Sequence, residues 1–196
     1  MALMTFALVS TCTPGPNNIM LLASGMNYGI TRSLPHMFGI MLGFPAMVFM
    51  VGVGLAQIFD KIPYSYDVLK VVSTLYLLYL AWKIATASQP KTDTSEGAIE
   101  GKPLTFFQAA SFQWVNPKAW TMALSAISIY TSTAQPFLSI IIVSVAFVFA
   151  GMVSTSLWTI IGFKLREFIQ DEIKLRAFNI ICALLLVATL YPVIFG

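Results

Sequence analysis

Apolar residues along this chain come in long unbroken runs rather than in alternation, and polar residues are gathered into short stretches between them. At about 20 residues per bilayer crossing, six runs are long enough to span a membrane: residues 1–24, 34–59, 66–87, 104–130, 136–163 and 177–195. Continuous runs predict helices. A barrel strand alternates lipid-facing with lumen-facing residues, whereas a helix satisfies its backbone groups within its own segment. The one sustained polar stretch, SQPKTDTSEGAIEGKP from Ser88 to Pro103, carries proline, glycine and both signs of charge, and reads as a surface loop. It divides the chain into residues 1–87 with three spans, a linker at 88–103, and residues 104–196 with three more.

Two of the runs are interrupted. Span 1 contains Thr13, Pro14, Gly15, Pro16, Asn17 and Asn18, and span 4 contains Gln113, Asn116, Pro117 and Lys118 within QWVNPKAW. A proline in a helix interior removes a donor and clashes with the carbonyl four residues back, at a cost of about 3 kcal/mol or more. In both places a cap-competent residue precedes a proline at what would be a first helical position. Each break therefore predicts a half-helix beginning inside the membrane. The carbonyls of Ser10, Cys12 and Gln113 would lose their helical partners, and the amides of Asn17, Asn18 and Ala119 would point free. A helix N-terminus favours an anion such as a carboxylate. The freed carbonyls, with the side chains of Asn17, Asn18, Gln113 and Asn116, suit an ammonium group. An amino acid presents both. A single proline more often only kinks a membrane helix, but matched interruptions in two halves are the pattern of inverted-repeat transporters, whose solute site lies at the midplane.

Composition fixes the class. Of 196 residues, 58% are hydrophobic and 10% charged, with a mean hydropathy of +0.81, against roughly 45–50% apolar and 25% charged in a soluble domain. An all-α integral membrane protein is expected: two inverted-topology three-helix repeats, with helices 1 and 4 broken at mid-membrane. Orientation follows from the basic residues. Arg32, Lys83, Lys91, Lys102, Lys164, Arg166, Lys174 and Arg176 flank the odd loops, while Lys61 and Lys70 flank the second. That asymmetry puts the odd loops in the cytoplasm and both termini outside. Tyr64, Tyr66 and Trp82 stand at span ends as interfacial aromatics. The net charge of +3 records the same asymmetry, and nothing points to nucleic acid. No basic residue precedes the first run and no cleavage pattern follows it, so it reads as a retained span rather than a signal peptide.

Lys118 is the one ionisable group deep in a predicted span, where a charge costs about 2.5–3.5 kcal/mol on insertion scales. It must face protein or water. Pairing with a solute carboxylate or exchanging a proton during a cycle would be its functional roles; a structural lysine bonded to loose carbonyls of span 1 is the plainer and compatible reading. Asp60, Asp67, Glu167, Asp171 and Glu172 all sit at span ends, so no carboxylate proton relay is visible in the core, and neither a metal nor a cofactor is expected. Gly39 and Gly43, like Gly25 and Gly29, are spaced for close helix approach, within the chain rather than between copies. His36 reads as a surface histidine at the cytoplasmic end of span 2, with a pH sensor as the lesser reading. Trp114 and Trp120 read as packing residues rather than a cation cage.

Two rival functions share these features. Cys12 precedes the first break, as a cysteine would in a membrane thiol–disulfide electron carrier. Such a carrier needs a partner thiol, and Trp114 and Val115 stand where symmetry would place it. Cys12 and Cys182 read better as small buried fillers. A passive pore for a small neutral solute keeps the broken helices but predicts flux insensitive to an uncoupler.

The stretches TPGPNN, LAWKIA from Leu80 to Ala85, and QWVNPKAW, in this order along nearly the whole chain, resemble the LysE/RhtB family of amino-acid exporters. TPGPNNIM and the Gln-x-x-Asn-Pro-Lys form are most similar to its cysteine and O-acetylserine branch. The resemblance implies efflux of amino acids or close derivatives, threonine- or homoserine-like solutes included, across the bacterial inner membrane. It further implies drive by the proton motive force and a homodimer. Its motif residues fall on Pro14, Gly15, Pro16, Asn17, Asn116, Pro117 and Lys118. Thirteen residues precede Pro14, fewer than this family usually has there.

Overall fold

A computed structural model of the chain describes residues 1–87, 102–169 and 171–195; most of the expected linker, 88–101, lies outside the described residues. The described residues are helical apart from short connections, with no strand among them. In chain order the α-helices are α1 (Ala2–Cys12), α2 (Pro16–Met50), α3 (Ala56–Lys61), α4 (Ser65–Ala85), α5 (Phe106–Phe112), α6 (Pro117–Tyr130), α7 (Pro136–Phe168), α8 (Glu172–Ala188) and α9 (Tyr191–Phe195). Three segments are long and apolar enough to cross a membrane: Pro16–Leu55, Asp67–Ala85 and Pro136–Phe168.

The first of these is not a single rod. Gly29 has φ 79° and ψ 178°, a region occupied essentially by glycine alone. Ser24 Oγ and Ser33 Oγ, nine residues apart, lie 2.7 Å from each other, whereas nine residues of straight helix would separate them by about 13 Å. α2 is therefore a helical hairpin that turns at Gly29. Its second arm runs on past Met50 to Gly54, where a φ of 114° kinks the chain before α3.

Cross-chain contacts fix how the segments run. Tyr130 Oη reaches Ala2 O at 3.4 Å, Lys118 Nζ reaches Thr13 O at 2.6 Å, and Asn17 Nδ2 reaches Gln113 Oε1 at 2.8 Å. The segment through α1 into α2 thus lies antiparallel to the segment α5–α6. The second arm of α2 lies antiparallel to α7, with Phe44 against Phe147 at 5.0 Å and Phe49 against Phe137 at 6.1 Å between ring centroids. α4 lies antiparallel to α8–α9: Lys70 Nζ donates to Ile194 O at 3.0 Å, and Asn179 Nδ2 to Ala87 O at 3.0 Å.

Small residues let these helices approach. A Cβ on Gly39 would stand 2.5 Å from Phe106 O, and one on Gly43 2.6 Å from Ala110 Cα, so this glycine pair is used inside the chain against α5. Gly25 faces the backbone of Thr159 and Gly162 that of Leu22 even more closely. Backbone cannot swing aside as a side chain can, so Gly162→Val is expected to lower stability by about 1–3 kcal/mol. Gly151→Ala, whose Cβ would meet Met41 at an ordinary 3.6 Å, should shift it by less than about 0.5 kcal/mol. Thermal unfolding in detergent compares the two.

The outward residues of α4 and α7, among them Val68, Val71, Leu75, Ile142, Phe149 and Val153, are exposed and apolar. Against hydrocarbon such a surface is satisfied; in water it would be an association hazard. Two expectations are corrected. His36 is not at the surface: it is 1% exposed, and neither ring nitrogen has a partner among the described residues, because the α2 hairpin folds the first arm over it. Cys12 is half-buried rather than enclosed, while Cys182 is buried; both are free thiols.

Candidate functional site

α1 stops at Cys12 because Thr13 is extended (φ −61°, ψ 142°) and Pro14 and Pro16 supply no amide to continue the ladder. Gly15 is extended too, and α2 restarts with Pro16, whose missing N–H is no loss at a first helical position. On the facing segment α5 tightens into a 3₁₀ turn, Gln113–Val115, and Asn116 swings to φ −91°, ψ 110° before α6 begins at Pro117. The side chain of Asn116 caps α6, accepting from the Lys118 amide at 3.1 Å.

The two breaks face each other and are tied by side chains. Asn17 and Gln113 exchange amide hydrogen bonds of 2.8 and 3.1 Å. The Lys118 ammonium reaches across to Thr13 O at 2.6 Å, Thr13 Oγ1 at 3.0 Å and Pro14 O at 3.3 Å. Its stem lies against Gly15, where a Cβ would stand 2.6 Å from Lys118 Cδ. A cation in the first turn of α6 opposes that helix's own dipole; here it sits at the C-terminal end of α1, where the dipole is negative.

The carbonyls expected to be open are occupied. Ser10 O accepts from Thr13 Oγ1 at 2.8 Å, Cys12 O from Trp158 Nε1 at 3.2 Å, and Gln113 O from the Asn116 amide at 3.3 Å. Thr11 O accepts from Asn18 Nδ2 and Ser154 Oγ, each at 2.8 Å, and Thr13 O from Asn18 Nδ2 at 2.6 Å. An unpaired carbonyl away from water is costly, and the chain fills the gaps with its own donors. The place expected for a solute ammonium holds the ammonium of Lys118, so the plainer reading of that lysine is what the geometry displays.

The donor side differs between the breaks. α6 is capped by Asn116, whereas Gly15 gives α2 no side-chain acceptor, leaving its first-turn amides as the bare helix end. Beside it a cavity of about 30 Å³ is lined by Gly15, Asn17, Asn18, Asn116 and Lys118, with Thr11, Ser154, Thr155 and the apolar Ile40, Phe44, Met122 and Phe147. That is room for water only. Thr13, Pro14, Pro16, Gln113 and Pro117 shape the breaks without lining it; Gln113 is fully buried and its amide also donates to Ala109 O at 2.8 Å.

Sequence reasoning missed the third wall. Ser154, Thr155 and Trp158 come from α7, whose run of apolar residues carried no break; the signal was the hydroxyl cluster in MVSTSLW. Asn18→Leu removes three hydrogen bonds, the two its Nδ2 donates and the one its Oδ1 accepts from Ser154 Oγ at 3.4 Å, but Thr11 O keeps Ser154 and Thr13 O keeps Lys118. A stability loss of about 1 kcal/mol is expected, the low end for a buried hydrogen bond, readable by thermal unfolding.

Comparison with known proteins adds the following. The family model described as "LysE type translocator" matches residues 8–189. The chain is 31% identical, over 188 residues, to proteins named cysteine/O-acetylserine efflux protein from Escherichia coli strain K12 and Shigella sonnei, covering 95% of this chain and 92% of each relative. No solved structure gives a significant match.

Proposed function

The chain belongs to the LysE family of translocators, a membrane transport protein rather than an enzyme, and from that premise we propose that it exports small neutral amino acids or their derivatives, of the cysteine and O-acetylserine kind, from the bacterial cytoplasm. In this reading the six predicted spans form two inverted repeats, 1–87 and 104–196, joined by a cytoplasmic linker, with both termini outside and the proton motive force as the drive. Support comes from the adjacency of each span in the first half to its counterpart in the second, and from the family's own amino-acid efflux.

One observation carries the mechanism: the ammonium from one break lies on the carbonyls of the other, next to an uncapped helix N-terminus. An amino acid offers the same two groups as that internal pair. Its ammonium displaces Lys118 from Thr13 and Pro14, and its carboxylate takes the freed Lys118 and the amides at the start of α2. The cavity is too small for this as it stands, so binding needs the two halves to part, and rocking of one repeat against the other supplies alternating access. Counterflow of O-acetylserine in proteoliposomes, against a panel of amino acids and with or without a pH gradient, tests it. Selective counterflow that a pH gradient accelerates is expected; flux indifferent to an uncoupler would favour a passive pore.

A further inference from the structure

A second cavity, of about 40 Å³, lies at the end of the helices where the odd loops fall; its polar lining is Ser24, Asn27, Tyr28, His36, Lys83 and Lys102. Several of these are already spent on the fold. Ser24 pairs with Ser33, and Asn27 exchanges bonds of 2.7 and 2.9 Å with Asn179. His36 is different: it is 99% enclosed, lines the cavity, and has both ring nitrogens without a partner among the described residues. A buried imidazole with nothing to bond is costly, and each such group calls for an explanation.

The surroundings say what would satisfy it. The two charged lining groups, Lys83 and Lys102, are both cationic, and no acidic residue lines the cavity among the described residues. Arg166 stands at the same end, its Nη1 3.8 Å from where a Cβ on Gly29 would be. A group with several lone pairs and a negative charge fits; an ammonium does not. The cavity is also in line with the site at the breaks. His36 lines this cavity while Ile40 and Phe44 line the other, and at spacings of four residues they share one face of the second arm of α2. Met20, lining this cavity, and Ile40, lining the other, belong to one buried apolar cluster.

We propose that this chamber, which at about 40 Å³ must also widen as the halves part, is a reception site on the cytoplasmic side, where the carboxylate of the outgoing solute is taken by His36, Lys83 and Lys102 before it passes Met20 and Ile40 to the breaks. The proposal rests on the export reading and its orientation. It assigns the solute two carboxylate positions in sequence, and it accounts for a histidine that has no bond among the described residues.

His36 is the one histidine of the chain, which makes it a clean chemical reporter. Full-length protein in nanodiscs is treated with diethyl pyrocarbonate, and modification of His36 is followed by mass spectrometry with O-acetylserine or its methyl ester present. The acid is expected to slow modification about fivefold, as occupancy of a site competes with the reagent, and the ester, lacking the charge, to leave the rate unchanged. Lys83→Gln with Lys102→Gln should remove the protection. An unreactive His36, equal protection by acid and ester, or protection undiminished in the double variant would each overturn the proposal. Counterflow without protection removes this site and leaves export standing; protection without counterflow removes export and leaves a carboxylate site.

Discussion

Lys118→Met is expected to lower export about 100-fold while the protein still inserts and unfolds at nearly its original temperature. The methionine keeps the length and the apolar stem but loses the three contacts to Thr13 and Pro14. In the solute-bound state it also loses the bond from Lys118 to the carboxylate; a hydrogen bond to a charged group contributes about 1.5–3 kcal/mol, and a loss near 2.7 kcal/mol in the rate-limiting state corresponds to two decades. Stability suffers less, because Thr13 O keeps its bond from Asn18. Lys118→Arg should restore little, since a planar fork on a longer stem cannot reproduce a point ammonium between two carbonyls. Initial counterflow rates in proteoliposomes, at matched protein incorporation, measure both variants. Normal rates in a folded Lys118→Met protein would take the residue out of the mechanism.

The second large effect belongs to Gly15. Its backbone is extended, at φ −178°, so any residue fits the dihedrals and strain is not the issue. Space is: a Cβ there would stand 2.6 Å from Lys118 Cδ and 3.1 Å from Lys118 Nζ. Gly15→Leu is therefore expected to push the lysine off its carbonyls and fill the cavity, cutting export about as far as Lys118→Met does. Overpacking of this kind costs about 1–3 kcal/mol of stability. Gly15→Ala should fall between. Because the two residues act on one another, Gly15→Leu combined with Lys118→Met should be hardly worse than either alone, the non-additivity expected of groups in contact. Simple multiplication of the two losses would show that they act at separate places.

The breaks at 13–16 and 116–117 were legible because proline acts on its own neighbours, and local chemistry can be read without a partner. The way the breaks are filled was not. That the carbonyl of Cys12 finds Trp158, or that of Thr11 finds Ser154, depends on α7 lying alongside, and a continuous apolar helix carries no mark of which hydroxyl it turns inward. His36 was misplaced for the same reason. Its position near a predicted span end suggested water, but the hairpin at Gly29 brings Met20 and Asn27 over it, and that turn depends on one glycine at a positive φ. Gly39 and Gly43 show the opposite case: small residues at helical spacing announce a close neighbour, and α5 is that neighbour.

The central claim is that the ammonium of Lys118 holds the place a solute takes. Solid-state NMR measures it directly, with ¹⁵N-labelled lysine in the protein and, in separate samples, a ¹³C label on the threonine and proline carbonyls or on the carboxyl of O-acetylserine, and with Lys118→Met as the blank. A dipolar coupling between Lys118 Nζ and the solute carboxyl, appearing as the couplings to the Thr13 and Pro14 carbonyls fade, is the predicted result. A solute that binds while Lys118 stays coupled to those two carbonyls, with none to the label, contradicts the account.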